Sequence, residues 1–211
     1  GRNKKMITQQ NKVDLGIYPK YIKRILDIIL SFLLLIIFLP LFIVSSLIIK
    51  LTSPGPIFFT QIRIGQNSAK FKIYKFRTMS INAPHEKSTA ELSNAKDYIT
   101  VPGKWLRKTG IDELPQLINV FLGQMSLIGP RPLIDSENHV NNLRHEIGID
   151  HLKPGITGLA QINGRDLLSD DAKVKYDEQY FNNISFMIDL KIFFKTFSKV
   201  LKRKDIKDET K

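Results

Sequence analysis

With 211 residues the chain has room for one membrane segment and a soluble unit of about 150 residues, so composition argues for a single catalytic or binding domain. Its 32 Lys and Arg against 20 Asp and Glu leave a net charge of +12, which calls for an anionic partner: nucleic acid, phospholipid headgroups or a phosphorylated substrate. Cysteine is absent, which excludes disulfides and Cys-ligated zinc and suits a cytoplasmic setting, and the four His lack the spacing of a metal site.

Residues 1–20 form a polar, basic N-terminal segment, and residues 21–50 read as a membrane anchor. Within the anchor, "IILSFLLLIIFLPLFIVSSLII" (28–49) carries 22 residues without a charge. At ~1.5 Å per residue a straight helix of that length would be ~33 Å long, enough to cross a hydrocarbon core. Charge argues instead for re-entry. Lys12, Lys20, Lys23 and Arg24 precede the run, and Lys50, Arg63, Lys70, Lys72, Lys75 and Arg77 follow it. A straight span must place one of these sets outside, whereas a hairpin bent at Pro40 keeps both on the cytoplasmic side. Proline removes an N–H and clashes with the preceding turn, and Ser45 and Ser46 are candidates to satisfy the freed backbone groups. The run is longer than a signal-peptide core and no small-residue cleavage site follows it, so it is expected to be retained.

Residues 51–211 are read as the single catalytic or binding domain. "SPGP" (53–56) breaks the helix at the membrane surface. "IFFTQIRIG" and "KFKIYKFRT" predict two short strands joined as a hairpin around Gly65, Gln66 and Asn67. The polar stretch 80–100 predicts a loop with a little helix. "VPGKWLRKTGIDELPQLINVFLG" predicts two short helices separated near Thr109 and Gly110. In the second, Asp112 is placed as N-cap and Glu113 in the first turn, with Leu114, Leu117, Ile118 and Phe121 on the buried face and Gly123 at the end. "SLIGPRPLI" and "LKPGITGLAQINGR" read as irregular loops, and two helices follow from Asp170. The last places Phe186, Leu190, Phe193, Phe197 and Val200 on one side, with Lys191, Lys195, Lys199 and Lys202 elsewhere around it. Such a helix either lies in a lipid interface or covers the domain core.

Three places can carry chemistry. Adjacent carboxylates at a helix start, such as Asp112 and Glu113, ordinarily serve as cap and dipole partner. Here Arg107 and Lys108 lie close by, and a carboxylate among cations stays ionised and can act as nucleophile or Mg²⁺ ligand. In "GPRP" (129–132) the flanking prolines restrict the backbone at Arg131. That restriction either presents its guanidinium in a fixed orientation for phosphate or makes a turn with a solvent-facing Arg. In "PGITGLAQINGR" three glycines allow close backbone approach to a ligand, with Arg165 at the end, although neither GxxxxGK[ST] nor GxGxxG is present.

"YKFRTM", "IDELPQLINVFLGQMSLIGPRP", "KPGITGLAQINGR" and "ISFMIDLKIFFKT", in this order after an N-terminal hydrophobic segment, resemble the bacterial sugar transferases. These are monotopic phosphoglycosyl transferases that initiate capsule, exopolysaccharide and glycoprotein glycan assembly. The resemblance covers about residues 20–204. It implies a helix-rich α+β fold: one catalytic domain with an N-terminal re-entrant membrane helix-hairpin, a short β-hairpin and interfacial amphipathic helices. It further implies an Asp-Glu dyad, Mg²⁺, a UDP-sugar donor and an undecaprenyl phosphate acceptor. On this resemblance Asp112 matches the nucleophile and a metal ligand, Glu113 its partner, and Arg107, Arg131 and Arg165 bind phosphate or nucleotide. Asp177 and Asp189 match acidic family positions without an assigned role. Where the family's helix break is usually Ser-Pro, this chain has Leu39-Pro40.

The resulting expectation is an enzyme on the cytoplasmic face of the bacterial inner membrane that moves a sugar 1-phosphate from a UDP-sugar to undecaprenyl phosphate, through an aspartyl phosphosugar, with release of UMP. Membrane phospholipid is a further partner, nucleic acid is not, and a homo-oligomer is left open. The alternative is a non-catalytic, membrane-tethered protein that binds nucleic acid or anionic lipid through its charge.

Overall fold

The apolar run folds as two helices. In the computed structural model, which describes residues 15–84, 95–164 and 167–202, a π-helical turn at Tyr18–Ile22 leads into α1 (Lys23–Ile37), and α2 (Leu39–Thr52) departs at 59°. Among the described residues no single helix is long and apolar enough to cross a membrane, while the bent pair together reaches that length and composition. The break falls at Phe38 (φ −89°, ψ 3°), two residues before the expected Pro40, and the 59° bend has the form of either a broken span or a re-entrant loop. A proline ring strikes the carbonyl four residues back, here that of Ile36, so the distortion falls between the two; Pro40 itself occupies the first turn of α2, where no N–H is needed. The serines do not repair the break either. Ser45 Oγ is buried without a hydrogen-bond partner, and continuity comes from the backbone, Phe38 N–H to Leu34 O (2.9 Å) and Phe42 N–H to Phe38 O (2.9 Å).

Helix α1 is inside-out. Arg24, Asp27 and Ser31 recur at three- and four-residue spacing and share one face, and Asp27 and Ser31 are buried there. Ile25, Ile29, Phe32, Leu33 and Ile36 point outward and are exposed. A helix at a water surface shows the reverse pattern. In α2 the inward residues are Phe42, Ser45 and Ile49, and Ile49 joins Phe76 and Leu106 in an apolar cluster that Phe42, Ile57 and Ile111 cover.

The breaker "SPGP" folds around a cation. Gly55 takes φ +113°, and Arg77 donates to Ser53 O (2.8 Å) and to Pro54 O, two carbonyls just past the end of α2. Arg77 and Arg63 are both buried, so two of the six basic residues counted after the apolar run face the protein interior.

The hairpin forms as expected. Strands β1 (Phe58–Ile64) and β2 (Lys70–Phe76) pair antiparallel from Phe58↔Phe76 to Ile64↔Lys70, with Asn67 and Ser68 at positive φ in the turn. A short α3 (Ala95–Tyr98) lies in the stretch expected to be loop with a little helix; residues 85–94 lie outside the described residues. Then come α4 (Val101–Thr109) and α5 (Gln116–Phe121). The two segments read as loops contain strands. β3 (Ser126–Ile128) pairs in parallel with β4 (Gly155–Thr157), and α6 (Asn138–Ile147) crosses between them. The glycines of "PGITG" serve this pairing rather than a ligand. A Cβ on Gly155 would sit 2.1 Å from Gly129 N, and one on Gly158 2.1 Å from Gly129 O, so the close approach is of backbone to backbone.

After α7 (Leu159–Ile162), helices α8 (Asp170–Asn182) and α9 (Phe186–Lys202) close the fold. The inward stripe of α9 is Asp189 and Ile192. Phe186, Phe193 and Phe197, expected together on one apolar side, are exposed, as are Met187 and Phe194. Asp189 ties both ends of the chain together: it accepts from Tyr180 (2.7 Å) and Tyr18 (2.8 Å), and pairs with Lys23. Burial and the Asp189 charge hold the Tyr180 phenol well above its ordinary pKa, so it stays protonated and remains the donor.

Gly158→Ala is expected to cost about 2–3 kcal/mol, the scale of overpacking, because the obstructing atom is backbone and cannot swing away. Thermal unfolding in detergent measures it, and an unchanged midpoint would show that β3 and β4 separate freely.

Candidate active site

The acidic pair lies in a turn rather than on a helix N-terminus. Gly110 (φ +72°) ends α4 in the left-handed conformation and starts a 3₁₀ turn, Ile111–Glu113. Its bonds run from Glu113 N–H to Gly110 O (3.2 Å) and from Leu114 N–H to Ile111 O (3.1 Å). The N-cap of α5 is Pro115, without a side-chain cap, so the expectation of Asp112 as N-cap is corrected. A six-residue helix has a weak dipole, and the local electrostatics come from side chains instead. Lys75 Nζ donates to Glu113 Oε1 at 2.8 Å, both partly buried. Arg107 Nε donates to Thr78 Oγ1 at 2.8 Å, and Thr78 is buried.

Two contacts bring "YKFRTM" to this turn. Lys75 and Thr78 were both missed as site residues. The signal available was strand alternation, which turns Lys75 away from the buried Phe76. Asn119, also missed, sets the register of α5 on β2. Fully buried, it accepts from Tyr74 N–H (3.0 Å) and donates to Lys72 O (2.7 Å) and Gln124 Oε1 (2.7 Å), satisfying the free edge of β2 as a neighbouring strand would. The inward side of α5 is therefore Gln116, Leu117, Asn119 and Val120. Phe121, expected on it, is exposed and stacks near Phe32 of α1 at 6.0 Å.

Both helices of the bent pair, α1 and α2, grip this segment. Downstream of the acids, Arg24 of α1 donates to Val120 O (2.7 Å) and Phe121 O (2.9 Å), and Leu127 N–H donates to Asp27 Oδ1 (3.0 Å). Upstream, Ile111 packs on the cluster that includes Ile49 of α2.

Arg131 is held elsewhere. Four consecutive carbonyls of its loop accept hydrogen bonds: Pro130 from Gly155 N–H (2.8 Å), Arg131 from Arg144 (2.8 Å), Pro132 from Arg63 (3.2 Å) and Leu133 from Ile64 N–H (2.9 Å). Asp177 holds Arg144 in turn, accepting at 3.0 and 2.5 Å. Asp177 thus acts on the Arg131 loop through Arg144. Its own pKa is raised by burial, against the opposing pull of the guanidinium. Ile64 pairs with Lys70, five residues or about 17 Å along β2 from Lys75, so the backbone of Arg131 lies toward the turn end of the hairpin and the acids toward the other. The structure places Arg107, Asp112 and Glu113 on neighbouring turns and pins the backbone of Arg131 near the turn end of the hairpin; Arg165 lies outside the described residues.

Among the described residues no three His, Asp or Glu side chains converge on a metal position. The adjacent carboxylates of Asp112 and Glu113 nonetheless fit the donor set of Mg²⁺, which takes one or two protein carboxylates and completes its shell with water and substrate phosphate.

The family model for "Bacterial sugar transferase" matches residues 18–203. The chain belongs to the bacterial sugar transferase family. The chain is 41% identical over 189 residues to the UDP-glucose:undecaprenyl-phosphate glucose-1-phosphate transferase of Klebsiella pneumoniae, covering 84% of this chain and 39% of that protein. It is 40% identical over 189 residues to the UDP-N-acetylgalactosamine-undecaprenyl-phosphate N-acetylgalactosaminephosphotransferase of Aeromonas hydrophila, covering 86% of this chain and 44% of the relative. With the exopolysaccharide production protein ExoY of Sinorhizobium fredii it shares 38% identity over 192 residues, 84% of either chain. The chain therefore spans about two fifths of the first two relatives and most of the third.

Asn119→Ala leaves Tyr74 N–H and Lys72 O unmatched and is expected to lower stability by about 3 kcal/mol, since each buried unsatisfied group costs roughly 1–3 kcal/mol. Denaturant unfolding in micelles reads the loss. A shift below 1 kcal/mol would mean that α5 is held on β2 by its apolar contacts alone.

Proposed function

We propose that the chain transfers a sugar 1-phosphate from a UDP-sugar to undecaprenyl phosphate on the cytoplasmic face of the inner membrane. The observation that carries the reading is the acidic turn itself: Asp112 and Glu113, with Lys75 on Glu113, fixed between the two halves of an apolar anchor whose exposed side chains face outward. The printed names of the Klebsiella and Aeromonas relatives, which pair a UDP-sugar with undecaprenyl phosphate, support the same chemistry.

In the first step a carboxylate oxygen of Asp112 attacks the sugar-bearing phosphorus of the donor. The P–O bond to UMP breaks, UMP leaves, and the phosphosugar stays on Asp112. In the second step an oxygen of the lipid phosphate attacks the same phosphorus, returning the carboxylate and forming the lipid-linked diphosphosugar. Dividing the transfer in this way keeps two anionic substrates from having to meet. Lys75 holds Glu113 in place beside the nucleophile, and Arg107, oriented by Thr78, neutralises phosphoryl oxygens as charge develops. Arg131, presented from a backbone pinned at four carbonyls, serves the nucleotide end of the donor. Mg²⁺ held at Asp112, when bound, would offset the charge of the donor diphosphate. The exposed aromatics of α9, with Lys191 and Lys195 between them, suit a lipid interface continuous with the anchor.

Asp112→Asn keeps size and removes charge, and is expected to fold while losing activity on the order of 10³-fold or more. Wild type incubated with labelled UDP-sugar and Mg²⁺, without acceptor, should release UMP and carry the label on the peptide containing Asp112, read by mass spectrometry. A turning-over Asn variant would remove Asp112 from the nucleophile's role.

For topology, cysteines introduced singly at Lys20 and Ala69, both exposed, are expected to be equally protected from an impermeant thiol reagent in intact cells and equally labelled after lysis. Labelling of one alone in intact cells would make the bent pair a span.

A further inference from the structure

Between the last turn of α2 and the first turns of α4 lies an open groove with a volume of about 580 Å³, lined by Ile48, Thr52, Thr100, Val101, Pro102 and Trp105. That volume is in the range of small-molecule sites, roughly 300–1,000 Å³. Its walls are apolar and wet: Val101 is 84% exposed and Trp105 49%, and Leu51 beside it is 82% exposed. A tryptophan and a valine left in water in this way mark a surface that something else covers.

Two observations say what. The groove starts on α2, and its wall is hydrogen-bonded to the residue that holds Arg107. Thr100, in its wall, bonds Thr78 O through its backbone N–H (3.0 Å) and its hydroxyl (3.2 Å), and the Thr78 hydroxyl is the one that holds Arg107. Along α4 from Val101 to Arg107 the rise is about 9 Å. The rim, meanwhile, is cationic. Lys50 at the end of α2 and Lys104 and Lys108 on α4 are all exposed. An apolar groove that begins on the apolar helix pair, is edged with lysines and shares Thr78 with Arg107 fits a long hydrocarbon that carries its charge at one end.

We propose that this groove binds the first isoprenoid units of the polyprenyl phosphate acceptor, with the chain leaving along α2 into the bilayer and the phosphate delivered toward Arg107 and the Asp112 turn. The proposal rests on the transfer reaction set out above for the identity of the acceptor. The groove gives that reaction an entry path for the second substrate.

Trp105 is the single tryptophan of the chain, so its fluorescence reports the groove directly. Full-length protein in neutral detergent micelles is titrated with undecaprenyl phosphate and, in parallel, with phosphatidylglycerol at equal mole fraction. A saturable blue shift with the polyprenyl phosphate, reached at mole fractions where phosphatidylglycerol gives less than a fifth of the change, is the expected result. An equal response to both lipids would make the groove a seat for bulk phospholipid and overturn the proposal, and so would no response to either. Val101→Glu places a charge in the groove at an exposed position, and is expected to raise the half-saturating mole fraction of undecaprenyl phosphate at least tenfold in the same titration. An unshifted titration in that variant would also overturn it. Because neither arm requires turnover, a wild type that binds polyprenyl phosphate but releases no UMP from any UDP-sugar would sink the transfer reaction and leave the groove assignment standing.

Discussion

Lys23, Arg24 and Asp27 are the ionisable side chains of α1, and the last two meet backbone beyond it: Arg24 the carbonyls that end α5, Asp27 the N–H of Leu127 in β3. Facing lipid, either would be costly to desolvate; turned inward, each satisfies a group that would otherwise be buried unmatched. This pairing fixes α1 on the segment just after the acidic turn, while the cluster of Ile49, Phe76 and Leu106 fixes α2 on the segment just before it. The bend at Phe38 is what lets one apolar run reach both sides. A straight helix would satisfy one contact and pull away from the other, so the position of Asp112 and Glu113 depends on the bent pair as much as on the elements that follow it.

The same logic redistributes the positive charge. Arg24, Arg63, Arg77 and Arg144 act as backbone caps. Arg77 and Arg24 complete the ends of α2 and α5, and Arg63 and Arg144 hold the carbonyls around Arg131. The planar guanidinium, with five donors in fixed directions, suits this work better than an ammonium does. Of the lysines, Lys23 and Lys75 are drawn into pairs with Asp189 and Glu113, while Lys50, Lys104, Lys108, Lys191 and Lys195 stay exposed. Four arginines and two lysines thus organise the fold.

Rigidity around the candidate site comes from backbone bonding more than from core size. The loop of Arg131 has two prolines that cannot donate and four carbonyls that all accept, and the parallel pairing of β3 with β4 behind it is so close that Gly129, Gly155 and Gly158 admit no side chain. Asp177 braces Arg144 from α8, and Asp189 joins α9 and Tyr180 to Tyr18 and Lys23 at the start of the chain. The two acidic positions left without a role by the family resemblance are therefore struts.

What was legible in the sequence by itself was whatever depends on neighbours along the chain. The apolar run and its interruption, the hairpin around Gly65 to Asn67, the break between helices near Thr109 and Gly110 and the two C-terminal helices all follow from local propensity and periodicity, and each is found. The four motifs also specified the family. Only the tertiary structure decided the rest, because it turns on groups far apart in sequence. β3 and β4 are three-residue strands whose hydrogen bonds cross some thirty residues, so punctuation by Gly and Pro masked them as loops. Asn119 sits on the buried side of α5 because β2 offers it an unpaired edge, and Phe121 lies outside because α1 brings Phe32 to meet it. Lys75 reaches Glu113 across 38 positions, and Arg107 reaches Thr78 across 29. A sequence pattern records which face of an element is apolar; which polar group waits opposite that face is settled only when the elements dock.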